Sequence, residues 1–171
     1  MQKKNLINYN GRFCESDFEN AFISFLENVG WTYLFGENVE RKNPREVLIS
    51  ADLHNFLHTQ NPDLNEEEIQ QLCDNVRLAG AETDFATLHK VYGWMVNGIQ
   101  FTPQNGLAKT VNLIDFTDTA RNIFRVVNQF SVDYVNNGQT KCRRPDLLLY
   151  VNGLPLCIME LKNPADEIAT I

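Results

Sequence analysis

Arg144-Pro145-Asp146-Leu147-Leu148-Leu149-Tyr150-Val151-Asn152-Gly153-Leu154-Pro155-Leu156-Cys157-Ile158-Met159-Glu160-Leu161-Lys162-Asn163-Pro164 is the stretch that decides the reading of this chain. No charged side chain falls between Asp146 and Glu160, so two carboxylates bracket an apolar run. Asn152-Gly153 is a strong two-residue hairpin signal, because both residues accept positive φ. It predicts two strands, 147–151 and 154–161, folded back on each other. Side chains alternate along a strand, so Glu160 and Lys162 share one face and Leu161 takes the other. The two arms are similar enough in length to bring Asp146 near the Glu160–Lys162 end.

Working outward, residues 17–29 predict a helix. Phe18, Phe22, Phe25, Leu26 and Val29 form an apolar stripe, and Ser16 with Glu19 fits a capping box. Gly30 ends the helix, and 31–35 follows as a short aromatic strand. Residues 44–79 read as helical. Val47, Leu48, Leu53, Phe56 and Leu57 form one amphipathic stripe, starting near Pro44. After the Asn61-Pro62 break, Asn65 and Glu66–Glu68 open a second helix with Ile69, Leu72, Cys73 and Val76 buried. A third helix is expected over 82–96, with Phe85, Leu88, Tyr92 and Met95 inward. Residues 111–116 alternate like a strand, 122–134 is rich in β-formers, and Asn136-Asn137-Gly138 is a turn. The expected fold is α/β: a mixed central sheet of the 111–116, 122–134, 147–151 and 154–161 strands, flanked by the 17–29 helix. The helical stretch 44–96 is an elaboration, and residues 1–16 are a loose arm.

The chain has 171 residues, 43% hydrophobic and 22% charged, an ordinary globular composition. No apolar stretch approaches the ~20 residues of a membrane span, and the Lys3-Lys4 terminus lacks the apolar segment of a secretory signal. Cys14, Cys73, Cys142 and Cys157 are scattered and read as free thiols of a reducing cytoplasm. The net charge of −7 argues against a strong autonomous grip on nucleic acid. Lys141, Arg143 and Arg144 nevertheless form a small basic cluster just before Asp146, suited to phosphate contact or to a solvated loop. No Gly-rich phosphate loop is present, so ATP binding is not expected.

Two carboxylates and an ammonium at a sheet edge suit phosphodiester hydrolysis. Hard carboxylate oxygens match Mg²⁺. The metal polarises a phosphoryl oxygen and lowers the pKa of bound water. A lysine beside it orients that water or offsets developing negative charge. Pro145-Asp146, a strand, then Glu160-Leu161-Lys162 resembles the PD-(D/E)xK nuclease signature. The longer string Arg143-Arg144-Pro145-Asp146, Val151-Asn152-Gly153-Leu154-Pro155 and Glu160-Leu161-Lys162-Asn163-Pro164 is similar to the N-terminal region of type I restriction enzyme R subunits. Asp17 to Trp31, Val111 to Phe116 and Asn128-Gln129-Phe130 also resemble family segments.

The resemblance implies an endonuclease domain over 17–171, cutting double-stranded DNA with Mg²⁺. Asp146 and Glu160 would be the metal ligands, with the Leu161 carbonyl, and Lys162 would assist the attacking water. Glu19 would be an additional acid beside the metal, although a capping role explains it equally well; Glu15 and Asp17 are neighbouring alternatives. The family's Q-x-x-x-Y motif and its ATP-driven translocating domains are not in this sequence. The resemblance therefore implies an N-terminal piece of a longer, cytoplasmic protein that uses ATP elsewhere. Implied partners are the modification methylase and specificity subunits, with no membrane. A second reading is a non-catalytic domain that docks the motor onto the methylase core. His54 and His58, four apart on a helix, lack a third ligand and read as a helix-surface or half-buried pair, and His89 as structural.

Overall fold

The computed structural model describes residues 15–80 and 85–161. Residues 1–14 of the expected arm, Lys162 and the 163–171 segment lie outside the described residues. Helix α1 (Glu15–Asn28) leads to β1 (Thr32–Phe35). Three helices follow: α2 (Ser50–Gln60), α3 (Glu66–Gly80) and α4 (Phe85–Asn97). Then come β2 (Ile99–Phe101), β3 (Lys109–Val111), β4 (Phe124–Asn128), β5 (Val132–Asn136), β6 (Gln139–Arg143), β7 (Leu147–Val151) and β8 (Leu154–Met159). The central sheet has the order β1-β4-β7-β8. β1 runs parallel to β4, and the other two pairs are antiparallel, so the sheet is mixed.

Strand alternation gives this sheet two apolar faces. Val126 and Leu147 pack with Ile23 and Leu26 of α1. Val127, Leu148 and Tyr150 face the other way, against Ile49 and Phe130. A third core joins α2, α3, β2 and β3 through Leu53, Leu57, Ile69, Leu72, Val111 and Leu113, and Leu154 of β8 reaches into it. The predicted stripe of α3, Ile69-Leu72-Cys73-Val76, is buried as expected. Its first turn carries a reciprocal cap. Asn65 Oδ1 accepts from Glu68 N–H, and Glu68 Oε2 accepts from Asn65 N–H. Glu68 is itself buried, and its second oxygen accepts from Gln104 N–H.

Several expectations are corrected. The α1 stripe is rotated: Phe18, Phe25 and Val29 are exposed, and the sheet-facing set is Glu19, Phe22, Ile23 and Leu26. The helix already includes Glu15, so Ser16 lies within its first turn rather than at its cap. Residues 44–49 are not helical. Their backbone is committed elsewhere: Pro44 O accepts from Asp133 N–H, Val47 O from the Tyr150 hydroxyl, and Ile49 N–H donates to Gly153 O.

The 111–116 run leaves the central sheet, because β3 pairs with β2 instead. It stops at Val111, and the Asp115 carboxylate then accepts from Thr117 N–H and Asp118 N–H, folding a turn. The 122–134 run is two strands, not one. Gln129 adopts φ 54°, Phe130 turns into the core, and β5 pairs with β6 in a separate ribbon. Gly36 permits that corner, since a Cβ there would stand 2.6 Å from Asn128 O and Phe130 Cα. On α4, Trp94 and Met95 turn toward the core, whereas Phe85, Leu88 and Tyr92 are exposed. No helix among the described residues is long and apolar enough to cross a membrane.

Candidate active site at the end of the hairpin

The Asn152-Gly153 turn forms as its dipeptide predicts, with φ of 51° and 77°. It is also buried. Asn152 is fully enclosed: its Oδ1 accepts from Ile123 N–H, and its Nδ2 donates to Leu113 O and to Asn122 Oδ1. A Cβ on Gly153 would collide with the Ile49 carbonyl, so the N-terminus of α2 can close on the turn only over glycine. The far end of the hairpin is thereby held from three directions.

At its open end the register brings the two acids together. Val151 pairs with Leu154 and Tyr150 with Pro155, and then a bulge intervenes, so Leu149 pairs with Cys157 and Leu147 with Met159. The ladder ends at that pair, and carrying its register one residue on would set Asp146 against Glu160. A one-to-one ladder from the turn would have set Asp146 against Met159 instead. The contact is direct: the Asp146 carboxylate accepts from Leu161 N–H at 2.5 Å. Met159 and Leu161 both pack on the α1 side, which turns Glu160 to the other face. Asp146 is half-buried and Glu160 is exposed.

Glu19 is placed differently. It projects from the sheet-facing side of α1 and accepts from Asn128 Nδ2 at 2.6 Å. Asn128 ends β4 and is the ladder partner of Leu147, so Glu19 lies at the same sheet end. The Asn128 Oδ1 accepts in turn from the Tyr33 hydroxyl of β1 at 2.8 Å. Burial holds the Tyr33 phenol above its ordinary pKa, and the negative charges of Glu19 and Glu27 add to that, while the bond to Asn128 opposes it. Among the described residues, no three acid, histidine or cysteine side chains gather into a metal cluster. Glu19 is therefore not assembled with Asp146 and Glu160 into a three-carboxylate group. Lys162 lies outside the described residues.

Sequence reasoning did not pick out Asn128 and Tyr33 as site residues. Asn128 opens the Asn128-Gln129-Phe130 segment that resembles the family, but only the paired strands show that it links Tyr33 to Glu19. Of the other candidates, His54 bonds Glu66 at 2.6 Å and stacks on His58 with ring centres 6.2 Å apart. That is a link between α2 and α3. Lys141, Arg143 and Arg144 are exposed on and just after β6, and none has an ion-pair partner among the described residues.

The chain is similar to a Methanocaldococcus jannaschii protein provisionally named type I restriction enzyme MjaIXP endonuclease subunit, with 35% identity over 156 residues. It is 30% identical over 171 residues to the type I restriction enzyme HindI endonuclease subunit of Haemophilus influenzae. The matches cover 85% and 92% of this chain but only 15% and 16% of those two proteins. Residues 12–171 match the family described as type I restriction enzyme R protein N terminus. With that match spanning the hairpin, Asp146, Glu160 and the Glu19-bearing helix, the chain belongs to the family of type I restriction enzyme R protein N-terminal domains.

Proposed function

We propose that the hairpin end is a Mg²⁺-dependent phosphodiesterase site that cuts double-stranded DNA. The observation that carries this reading is the Asp146–Leu161 bond at 2.5 Å, which locks Asp146 to the strand end bearing Glu160. The donor set fits the ion. Mg²⁺ typically takes one or two carboxylates and fills its remaining positions with water and substrate oxygens. Asp146 and Glu160, with the Leu161 carbonyl, would hold it. When bound, the metal supplies Lewis-acid polarisation of the phosphoryl group and an acidified water. The work of the chain itself is positional. The Leu161 N–H fixes the Asp146 carboxylate, and the hairpin carries Glu160 on the neighbouring strand end. Lys162 would orient the attacking water and offset charge on the phosphoryl oxygens. Glu19, one oxygen of which accepts from Asn128, would act as an auxiliary acid.

In the intact enzyme we infer that cutting follows ATP-driven translocation by other domains, in a cytoplasmic complex with methylase and specificity subunits. Plasmid cleavage by the reconstituted complex, with Mg²⁺ and ATP, tests the assignment. Asp146→Ala and Lys162→Ala should each lower cutting by about 10³-fold or more while leaving ATP hydrolysis intact. Normal cutting by both variants would remove the nuclease reading. The exposed apolar stripe of α4 (Phe85, Leu88, Tyr92 and Val96) favours a second reading, in which the chain docks the motor onto the methylase core. Normal cutting by both variants, with assembly lost on Leu88→Glu, is the outcome that reading requires.

A further inference from the structure

The β5–β6 ribbon grows out of the sheet end that holds the candidate site. β4 continues into β5 through 129–131, and β6 continues into β7 through 144–146. Its register pairs Val132 with Arg143, Tyr134 with Lys141 and Asn136 with Gln139. Directly opposed residues share a face, and so do residues two apart. One face of the ribbon therefore carries Val132, Tyr134, Lys141 and Arg143, with Val132 packed on the core at the base and Asn136 and Gln139 at the tip. The other carries Asp133, Val135, Thr140 and Cys142. The ribbon's one acid is segregated from its two cations. All of β6 is exposed, and neither Lys141 nor Arg143 has an ion-pair partner among the described residues. In a chain of net charge −7, the ribbon thus presents two cations and no acid on one face.

We propose that this face grips the phosphate backbone of duplex DNA beside the scissile bond, an inference that rests on the nuclease reading of Asp146 and Glu160. The reach is suitable. Arg143 is three residues from Asp146, so their Cα atoms lie within about 11 Å, a few phosphate steps along a duplex. Lys141 stands about 7 Å further along the strand, near two phosphate steps of ~3.4 Å rise. A two-stranded ribbon is also an element that a DNA groove admits. Asn137 and Gly138, at φ 51° and 76°, close the ribbon in a tight turn, so the face arrives as a rigid unit. The tyrosine and the two amides can donate further bonds to phosphate oxygens, contacts that position DNA without reading its sequence.

The test is anisotropy of a fluorescein-labelled 30-base-pair duplex of arbitrary sequence, titrated with the 171-residue chain in EDTA from 20 to 150 mM salt. Lys141→Gln with Arg143→Gln should weaken binding roughly tenfold at the lowest salt. It should also flatten the slope of log affinity against log salt by about 2. Arg77→Gln with Lys90→Gln removes the same charge from α3 and α4 and should leave the slope unchanged. Circular dichroism and thermal melting establish that each variant is folded. An unchanged slope in the ribbon variant, an equal loss in the control, or no duplex binding by the parent chain would each overturn the proposal. Because nothing is cut in EDTA, this readout is independent of whether Asp146→Ala abolishes cleavage.

Discussion

Removing the Asp52 carboxylate should destabilise the chain by about 3 kcal/mol. Asp52 sits on α2 and meets Arg125 of β4 in a two-pronged pair, Nε to Oδ2 at 2.7 Å and Nη2 to Oδ1 at 2.9 Å. The Asp52 side chain is 6% exposed and that of Arg125 28%. The carboxylate raises the guanidinium pKa further, so Arg125 stays charged at every accessible pH. Asp52→Ala therefore leaves a cation in a largely dry site. Breaking a fully buried pair from one side costs about 3–5 kcal/mol. Water can reach part of Arg125, which selects the lower end of that range. With a urea dependence near 2 kcal/mol per molar, the unfolding midpoint should fall by about 1.5 M. Trp31, packed 5.1 Å from the Phe124 ring next to Arg125, supplies the fluorescence signal. Asp52→Leu with Arg125→Met removes both charges together and should recover to within about 1 kcal/mol of the parent. A midpoint shift below about 0.3 M for Asp52→Ala, or a double variant as unstable as the single, would refute the reasoning.

Other outcomes are expected from the same geometry. Asn152→Ala strips the acceptor from Ile123 N–H and the donor from Leu113 O, and should cost about 3 kcal/mol in urea unfolding; Asn152→Asp keeps the acceptor only and should recover part of that. Burial pushes the Cys73 thiol up to about 11, whereas an unfolded thiol titrates near 9. The unfolded chain thus loses its proton first: the contribution is whole below pH 9 and declines through pH 11, by about 2 to 3 kcal/mol in all. The parent should lose that much more than Cys73→Val over this range. In a Cys14→Ser background, Cys142 and Cys157 should react quickly with a thiol reagent at pH 8, and Cys73 only after unfolding. Glu19→Gln removes a charge that raises the Tyr33 phenol, so a difference titration at alkaline pH should show Tyr33 ionising earlier than in the parent.

The hairpin was legible because its determinants are local. An Asn-Gly pair between apolar runs and charges confined to the ends need no distant partner to be read. The buried stripe of α3 was legible for the same reason: Ile69, Leu72, Cys73 and Val76 repeat at the helical period, and Asn65 caps their helix. The α1 stripe was misread because the chain offers two overlapping series. Phe18-Phe22-Phe25-Val29 is the more hydrophobic, but the sheet takes Glu19-Phe22-Ile23-Leu26. That choice, about one residue of rotation, decides that Glu19 faces the sheet and meets Asn128. The 111–116 and 122–134 runs failed as single central strands because alternation says nothing about partners. The Asp115 turn and the left-handed Gln129 redirect the chain where other segments already occupy the neighbouring positions.

By itself, the sequence determined that Asp146 and Glu160 stand at the margins of one apolar hairpin. That follows from residue order and the Asn152-Gly153 turn. Only the tertiary structure decided what Asp146 meets. The bulge between the Tyr150–Pro155 and Leu149–Cys157 pairs shifts the ladder by one residue, and the Asp146 carboxylate meets Leu161 N–H. Only the assembled strands brought Asn128 and Tyr33 to Glu19, and they leave Glu19 apart from the other two acids. Register and bulges are set by packing on both faces of the sheet at once, and that packing involves residues far away in the chain.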